Sequence, residues 1–414
     1  MSRRLEVLLH DRPVGILAET PGGIVELRLL GDYRELVPRP VLGQKFEDDL
    51  ERVHRSRRRS GVPDFFANVI PEGRLRDVIV TSAGLDADDD LALLAFVGSD
   101  LPGAVTVRPF ADEGLDRPME MLSAAADRGN AESSSETLRF SLAGAQLKFS
   151  LLREGDRLTL PLKSQRGEWI VKLDSPAFPN LPANEYSMLE WARAAGFEVP
   201  ECRLHTREHV AEPLRRYIPP ETQVIAVRRY DRSEAGPVHQ EDFAQAVGVS
   251  PTPPERKYNQ ITYDMMVGLV RRFIDEGAVD EFIRRLVLTV AIGNNDAHLK
   301  NWSLIYPDKI RPLWSPLYDQ VSTVAWEALD RTLALKLGGT KDFGRVDRSL
   351  FERLAQRSHI DARKLDELVT GTIERLRTTW REVGPDLPLP ETHRGALRHH
   401  WRKVPLLRST GALD

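Results

Sequence analysis

The stretch Gly293-Asn294-Asn295-Asp296-Ala297-His298-Leu299-Lys300-Asn301-Trp302 places an acid and an amide five residues apart, with two basic side chains between them. A second isolated acid, Asp319, follows in Leu317-Tyr318-Asp319. An Asp, an Asn five residues on and then another Asp form a set that can orient a hydroxyl and hold magnesium beside a triphosphate. In that chemistry Asp296 is the base or hydroxyl-orienting group. Asn301 and Asp319 supply the oxygen ligands that magnesium prefers. His298 and Lys300 would add positive charge near the phosphates. The segment also reads as a helix C-cap at Gly293 followed by a polar turn, so other parts of the chain must decide.

Phosphoryl transfer needs positioned phosphates, neutralised charge and an oriented hydroxyl, and little covalent help. A loop that lets backbone amides approach phosphates is present in Ser141-Leu142-Ala143-Gly144-Ala145-Gln146-Leu147-Lys148, where residues 143 to 145 are small. Alone, it reads equally as a hairpin turn. No GxxxxGK[ST] occurs, which argues against a P-loop ATPase. Lys172 lies inside the apolar strand Trp169-Ile170-Val171-Lys172-Leu173. The next element is a helix begun at Pro182 and ended at Gly196. In it Glu185 shares a face with Met188, Leu189 and Ala192. A carboxylate on an apolar face is costly without a cation, and Lys172 is its natural partner. Kinases orient ATP phosphates with such a pair. The strand Val224–Val227 then runs into Arg228-Arg229-Tyr230-Asp231-Arg232, a junction of the kind at which backbone groups read adenine. Asp342-Phe343-Gly344 looks like a magnesium motif, but it follows the polar turn Gly338-Gly339-Thr340-Lys341, far beyond Asn301. The metal is therefore placed on Asp319.

These residues need elements to carry them. Residues 4 to 30 alternate as a small β-meander broken at Pro21-Gly22-Gly23. Helical signals run over 71–80 and 88–97. Residues 111–137 are rich in Asp, Glu, Ala, Ser and Arg and read as a linker. Strand signals return at 138–141, 147–152, 169–173 and 224–227. From about residue 239 the period becomes helical, with helices expected over 263–276, 279–292, 348–356, 361–383 and 392–403. The fold class is α+β. Residues 1–110 form an N-terminal β/α subdomain, 138–230 a β-rich lobe and 231–414 an all-helical lobe.

Composition is consistent with this. The chain has 414 residues, 41% hydrophobic and 29% charged, as in a globular protein of two or three domains. A formal net charge of -4 excludes a strong polyanion binder overall. The one cysteine, Cys202, can make neither an internal disulfide nor a cysteine zinc cluster. The N-terminus lacks a signal-peptide core, and no apolar run approaches the roughly 18 residues of a membrane span. A soluble cytoplasmic protein with no membrane partner is expected.

Several segments, in order, resemble the HipA family. They are Phe65-Phe66-Ala67-Asn68-Val69-Ile70-Pro71-Glu72-Gly73, Gly98-Ser99-Asp100-Leu101-Pro102-Gly103-Ala104-Val105, Ser141–Gln146, Asn184-Glu185-Tyr186, Ala226–Arg232, Gln240-Glu241-Asp242-Phe243, Gly293–Asn301 and Tyr318-Asp319. Members are serine/threonine kinases that act as toxins of bacterial toxin–antitoxin pairs. The resemblance implies a divergent two-lobed protein-kinase-like fold with an added N-terminal subdomain, using ATP and Mg2+. It makes Asp296 the catalytic residue and Asn301 and Asp319 the metal ligands. Nucleotide contacts would come from Ala143, Gly144, Ala145, Gln146, Leu147, Lys148, Lys172, Glu185, Arg228, Arg229, Tyr230, His298, Leu299, Lys300, Asn301, Tyr318 and Asp319. Ser141 matches a loop serine that the family autophosphorylates to switch itself off. Implied partners are a small helix-turn-helix antitoxin (HipB-like), operator DNA mainly through that antitoxin, and a protein substrate such as an aminoacyl-tRNA synthetase. One departure from eukaryotic kinases is that Asn294-Asn295, not His-Arg, precede Asp296. Two alternatives remain open at this point. A small-molecule kinase shares Asp-x-x-x-x-Asn. A nucleotide-binding corepressor without kinase activity would use Arg55–Arg59 and the basic tail from His393 to Arg408 on DNA phosphates.

Overall fold

The computed structural model describes residues 3–110, 148–154, 157–159, 167–212, 215 and 218–409. The linker 111–137, the strand signal at 138–141, and Ser141, Ala143, Gly144, Ala145, Gln146 and Leu147 of the small-residue loop lie outside the described residues.

The N-terminal meander is present. Strands β1 (Arg4–Leu9), β2 (Arg12–Glu19) and β3 (Val25–Leu29) pair antiparallel in succession. β4 (His54–Arg55) and β5 (Val105–Pro109) complete a sheet of order β4-β3-β2-β1-β5. Alternate residues such as Val7, Leu17 and Leu27 are buried, the period-two pattern of a half-buried sheet. The helices Gly73–Ala83 and Asp90–Val97 bury Leu75, Ile79, Leu91 and Leu94 in the same core. Asp89 caps the second helix, accepting Ala92 N–H at 3.0 Å.

The second sheet is β6 (Lys148–Glu154), β7 (Arg157–Thr159), β8 (Trp169–Lys172), β9 (Cys202–Thr206) and β10 (Gln223–Arg228), in the order β7-β6-β8-β10-β9. Its two faces are both apolar and go to different places. Phe149, Val171, Val224 and Ala226 join the core of the N-terminal subdomain. Ile225 and Val227 pack with Leu189 of the Leu181–Ala194 helix. Lys172 stands directly opposite Ile225 in the ladder, so it shares the helix-facing side.

The C-terminal half is built on the helices Tyr263–Phe273, Ala278–Ile292, Arg348–Arg357, Ala362–Val383 and Glu391–Lys403. Trp191, Trp380 and Trp401 meet edge-on or tilted at their centre, with ring centroids 4.7–5.8 Å apart. Trp191 and Trp401 donate their indole N–H groups to Leu376 O and Ala291 O, so neither polar handle is stranded in the core.

This half is not all-helical, contrary to the sequence expectation. It also holds a ribbon of β11 (Arg232–Ser233) and β12 (Gly236–Pro237) and a three-stranded sheet of β13 (His239–Asp242), β14 (Ser303–Tyr306) and β15 (Leu313–Trp314). A hairpin of β16 (Thr332–Leu337) and β17 (Thr340–Asp342) completes the set. These strands have two to six residues and little alternation. Their pairing is non-local, as with His239 opposite Tyr306, so local periodicity does not reveal it. Among the described residues no helix is long and apolar enough to cross a membrane.

Candidate active site

The loop that carries Asp296 is set by the helix end before it. Gly293 closes Ala278–Ile292 at φ +64°, and a Cβ there would come within 2.7 Å of the Val324 side chain. Asn294 is fully buried, and its Oδ1 accepts Asp296 N–H at 2.8 Å, a local turn bond. Thr323 Oγ1 accepts Asn295 N–H at 2.7 Å and donates to Gly293 O at 2.8 Å. Asn301 Nδ2 donates to Asp296 O at 2.7 Å, closing the loop on itself. Gly293 is therefore a helix C-cap and the residues after it a polar turn, as the segment also reads. The C-cap and the turn are the means by which Asp296 is presented with its side chain about half exposed.

Two more acids meet one lysine. Lys172 is buried, and its Nζ donates to both Glu185 Oε1 and Asp319 Oδ1. Burial alone would lower the lysine's pKa, but the Asp319 and Glu185 carboxylates hold it above its ordinary value, so it stays charged. Asp319 adopts φ +52°, a left-handed backbone that costs a non-glycine residue energy and that concentrates at functional sites. The preceding Tyr318 fixes its direction, with its hydroxyl 2.5 Å from Ser303 Oγ and donating to Lys300 O at 2.9 Å.

These groups line one cavity of about 720 Å³ between the second sheet and the C-terminal half. Lys172, Glu185, Asp296, Asn301 and Asp319 all reach it, as do Arg228, Tyr230, His298, Lys300 and Tyr318. Arg229 lines it too, but its guanidinium is spent elsewhere, on Asp100 at 3.0 Å and Asp231 at 2.8 Å. The side chain of Leu299 lies in the apolar core instead. Lys148 opens β6 opposite Lys172.

Burial lowers the His298 imidazole to about 4; the Asp296 carboxylate opposes that shift, and Lys257 and Lys300 add to it. Asp342 does not line the cavity. Its carboxylate accepts Gly344 N–H at 2.8 Å and caps a short turn.

The structure adds two residues that the sequence reading passed over. Tyr258 donates its hydroxyl to Asp296 Oδ1 at 2.7 Å. Glu72, from the N-terminal subdomain, takes Lys300 and lies 3.6 Å from Lys257. Burial would raise the Glu72 carboxyl, but Lys300 and Lys257 hold it below its usual range. The only sequence signal for Glu72 was its place in Ile70-Pro71-Glu72-Gly73, and for Tyr258 there was none.

Asn301 and Asp319 offer magnesium oxygen donors of the right class, an amide whose nitrogen is already engaged and a carboxylate. Magnesium commonly takes one or two carboxylates and completes its shell with phosphate and water, so the donor set fits.

Family models match in two parts, the HipA N-terminal domain over residues 5–108 and the HipA-like C-terminal domain over 140–380. The chain belongs to the HipA family. It is 36% identical over 409 residues to the protein named "Putative kinase Y4dM" of Sinorhizobium fredii, covering 98% of each chain. It is 25% identical over 311 residues to the serine/threonine-protein kinase toxin HipA of Shewanella oneidensis, covering 66% of each. Its fold is similar to that of a chain from the Shewanella oneidensis MR-1 HipA, HipB and operator DNA complex. The TM-score is 0.73 at 20% identity, over 99% of this chain and 98% of that one. The mixed α/β architecture is thus that of a HipA-type protein.

Proposed function

We propose that this HipA-family chain is an ATP- and magnesium-dependent serine/threonine protein kinase that arrests growth as the toxin of a toxin–antitoxin pair. One observation carries the reading. Lys172 bridges Glu185 and Asp319 in the cavity that also holds Asp296 and Asn301, which is the division of labour that phosphoryl transfer requires.

Glu185 keeps Lys172 charged and aimed at the phosphates. Asn301 and Asp319 would hold magnesium, which neutralises phosphate charge when bound. Asp296 orients the acceptor hydroxyl and takes its proton as the new P–O bond forms and the bond to ADP breaks. Family membership supports the finer parts of the proposal. These are self-inactivation by phosphorylation of Ser141, neutralisation by a HipB-like helix-turn-helix antitoxin, and a translation component such as an aminoacyl-tRNA synthetase as target. A cytoplasmic location accords with such a target.

Contact with operator DNA would run through the antitoxin. In favour of this, Arg55, Arg57 and Arg58 pair with Glu26, Asp64 and Asp90 of their own subdomain. In the basic tail, His400 and Trp401 are buried and Arg394 donates to the carbonyls of Leu387 and Leu389.

Induced expression in a bacterial host tests the biological role. The wild type is expected to stop growth and raise serine or threonine phosphorylation, and Asp296→Gln is expected to do neither. Arrest by a folded Asp296→Gln protein would overturn the reading.

A further inference from the structure

The acceptor side of the cavity holds a side chain with no assigned part in the chemistry. Tyr258 belongs to the short helix Arg256–Asn259, far in sequence from the Asp296 loop. Its hydroxyl donates to Asp296 Oδ1 at 2.7 Å, and its ring meets the His298 ring edge-on at 4.9 Å. His298 Nε2 approaches the same oxygen, at 3.5 Å. The side-chain contacts of Asp296 among the described residues therefore converge on Oδ1. A carboxylate clamped through one oxygen presents the other in a fixed direction. Burial, and then the Asp296 charge, raise the tyrosine's pKa, so its hydroxyl remains a donor throughout the physiological range.

The short helix is itself braced from two sides. Lys341 Nζ donates to Tyr258 O at 3.1 Å and to Asn259 Oδ1 at 3.2 Å. Lys257, next to Tyr258, reaches Glu72 of the N-terminal subdomain, and the same carboxylate holds Lys300 of the Asp296 loop. Glu72 therefore ties together the segment that carries the tyrosine and the loop that carries the acid.

We infer that Tyr258 is a positioning residue for phosphoryl transfer, clamping Asp296 through Oδ1 so that Oδ2 faces the acceptor hydroxyl, and that the N-terminal subdomain sets this clamp through Glu72 and Lys257. The inference rests on the kinase reading, since it assigns Tyr258 a role through Asp296.

Full-length Tyr258→Phe keeps the ring against His298 and removes only the donor. It is compared with wild type for transfer of labelled phosphate from ATP to proteins of a heat-treated bacterial lysate, with ATP varied. The expected result is a fall in kcat of about tenfold or more, with unchanged KM for ATP and unchanged Tm. Wild-type kcat in Tyr258→Phe would overturn the clamp and leave the kinase reading standing. A loss of kcat matched by a lower Tm or a raised KM for ATP would also overturn it, marking Tyr258 as structural. Lys257→Met should lower kcat in the same direction, and its effect should not add to that of Tyr258→Phe. Full additivity would remove the N-terminal subdomain from the device. A wild type that transfers no phosphate would bring down both the clamp and the reading it rests on.

Discussion

At the scale of single residues, the site depends on pairing charges that would be costly alone. Glu185 and Lys172 are both almost fully buried, and each makes the other tolerable. The apolar face of the Leu181–Ala194 helix made this partnership legible in the sequence, because an acid there demands a cation. Asp319 was legible as an isolated acid, but its left-handed backbone and its contact with Lys172 are products of the fold. Of the two acids that compete on paper for the metal, Asp319 lines the cavity and Asp342 does not. Asp319→Asn is expected to lower phosphate transfer by about a hundredfold or more. Asp342→Ala should leave the rate near wild type and cost only about 1 kcal/mol of stability, as for a lost cap. Steady-state rates of both variants decide, and the reverse order would move the metal assignment.

At the scale of elements, the long helices and the meander could be read because their periodicity is local. Asp361, for example, caps the Ala362–Val383 helix by accepting Lys364 N–H at 2.7 Å, as its place before the apolar repeat suggests. The strand His239–Asp242 could not be read. Its residues are polar, and their burial comes from packing against segments distant in sequence. Tyr258 stayed hidden for the same reason, since its partner is 38 residues away. The strand also carries a buried acid. Glu241 is fully buried, accepts Gln44 N–H at 2.8 Å and contacts the Tyr306 hydroxyl, and burial pushes its carboxyl up to about 8. Between the ordinary carboxylate range and pH 8 the unfolded chain is ionised at this position while the folded chain keeps its proton. The folded state therefore binds more protons, and stability falls as pH rises through that window. Glu241→Gln should remove this slope, which amounts to at most about 1.4 kcal/mol per pH unit. Chemical denaturation at pH 5 and pH 8 reads it, and an unchanged slope would show that Glu241 does not titrate across this window.

At the scale of the whole molecule, the N-terminal subdomain packs as one body with the second sheet. Its core is continuous with one face of the second sheet. Its Asp100 enters a buried ion network with Arg229 and Arg232 at the junction between the sheet and the C-terminal half. Asp231 completes the network and accepts Gly103 N–H at 2.7 Å. Removing one partner leaves buried charge uncompensated, so Asp100→Ala should destabilise the full chain by about 3–5 kcal/mol. Equilibrium denaturation checks this, and a change below about 1 kcal/mol, the worth of a surface pair, would show that the network does not bind the subdomain to the rest. Through Glu72 the same subdomain reaches Lys300 of the loop that carries Asp296. The central claim is that this loop moves phosphate from ATP to protein hydroxyls. Its most direct test is incubation of the purified full-length chain with γ-labelled ATP, magnesium and bacterial lysate proteins, followed by phosphoamino-acid analysis. Label on serine or threonine with the wild type, and none with a folded Asp296→Asn protein, is the predicted result; equal labelling by the two, or none by the wild type, would contradict the account.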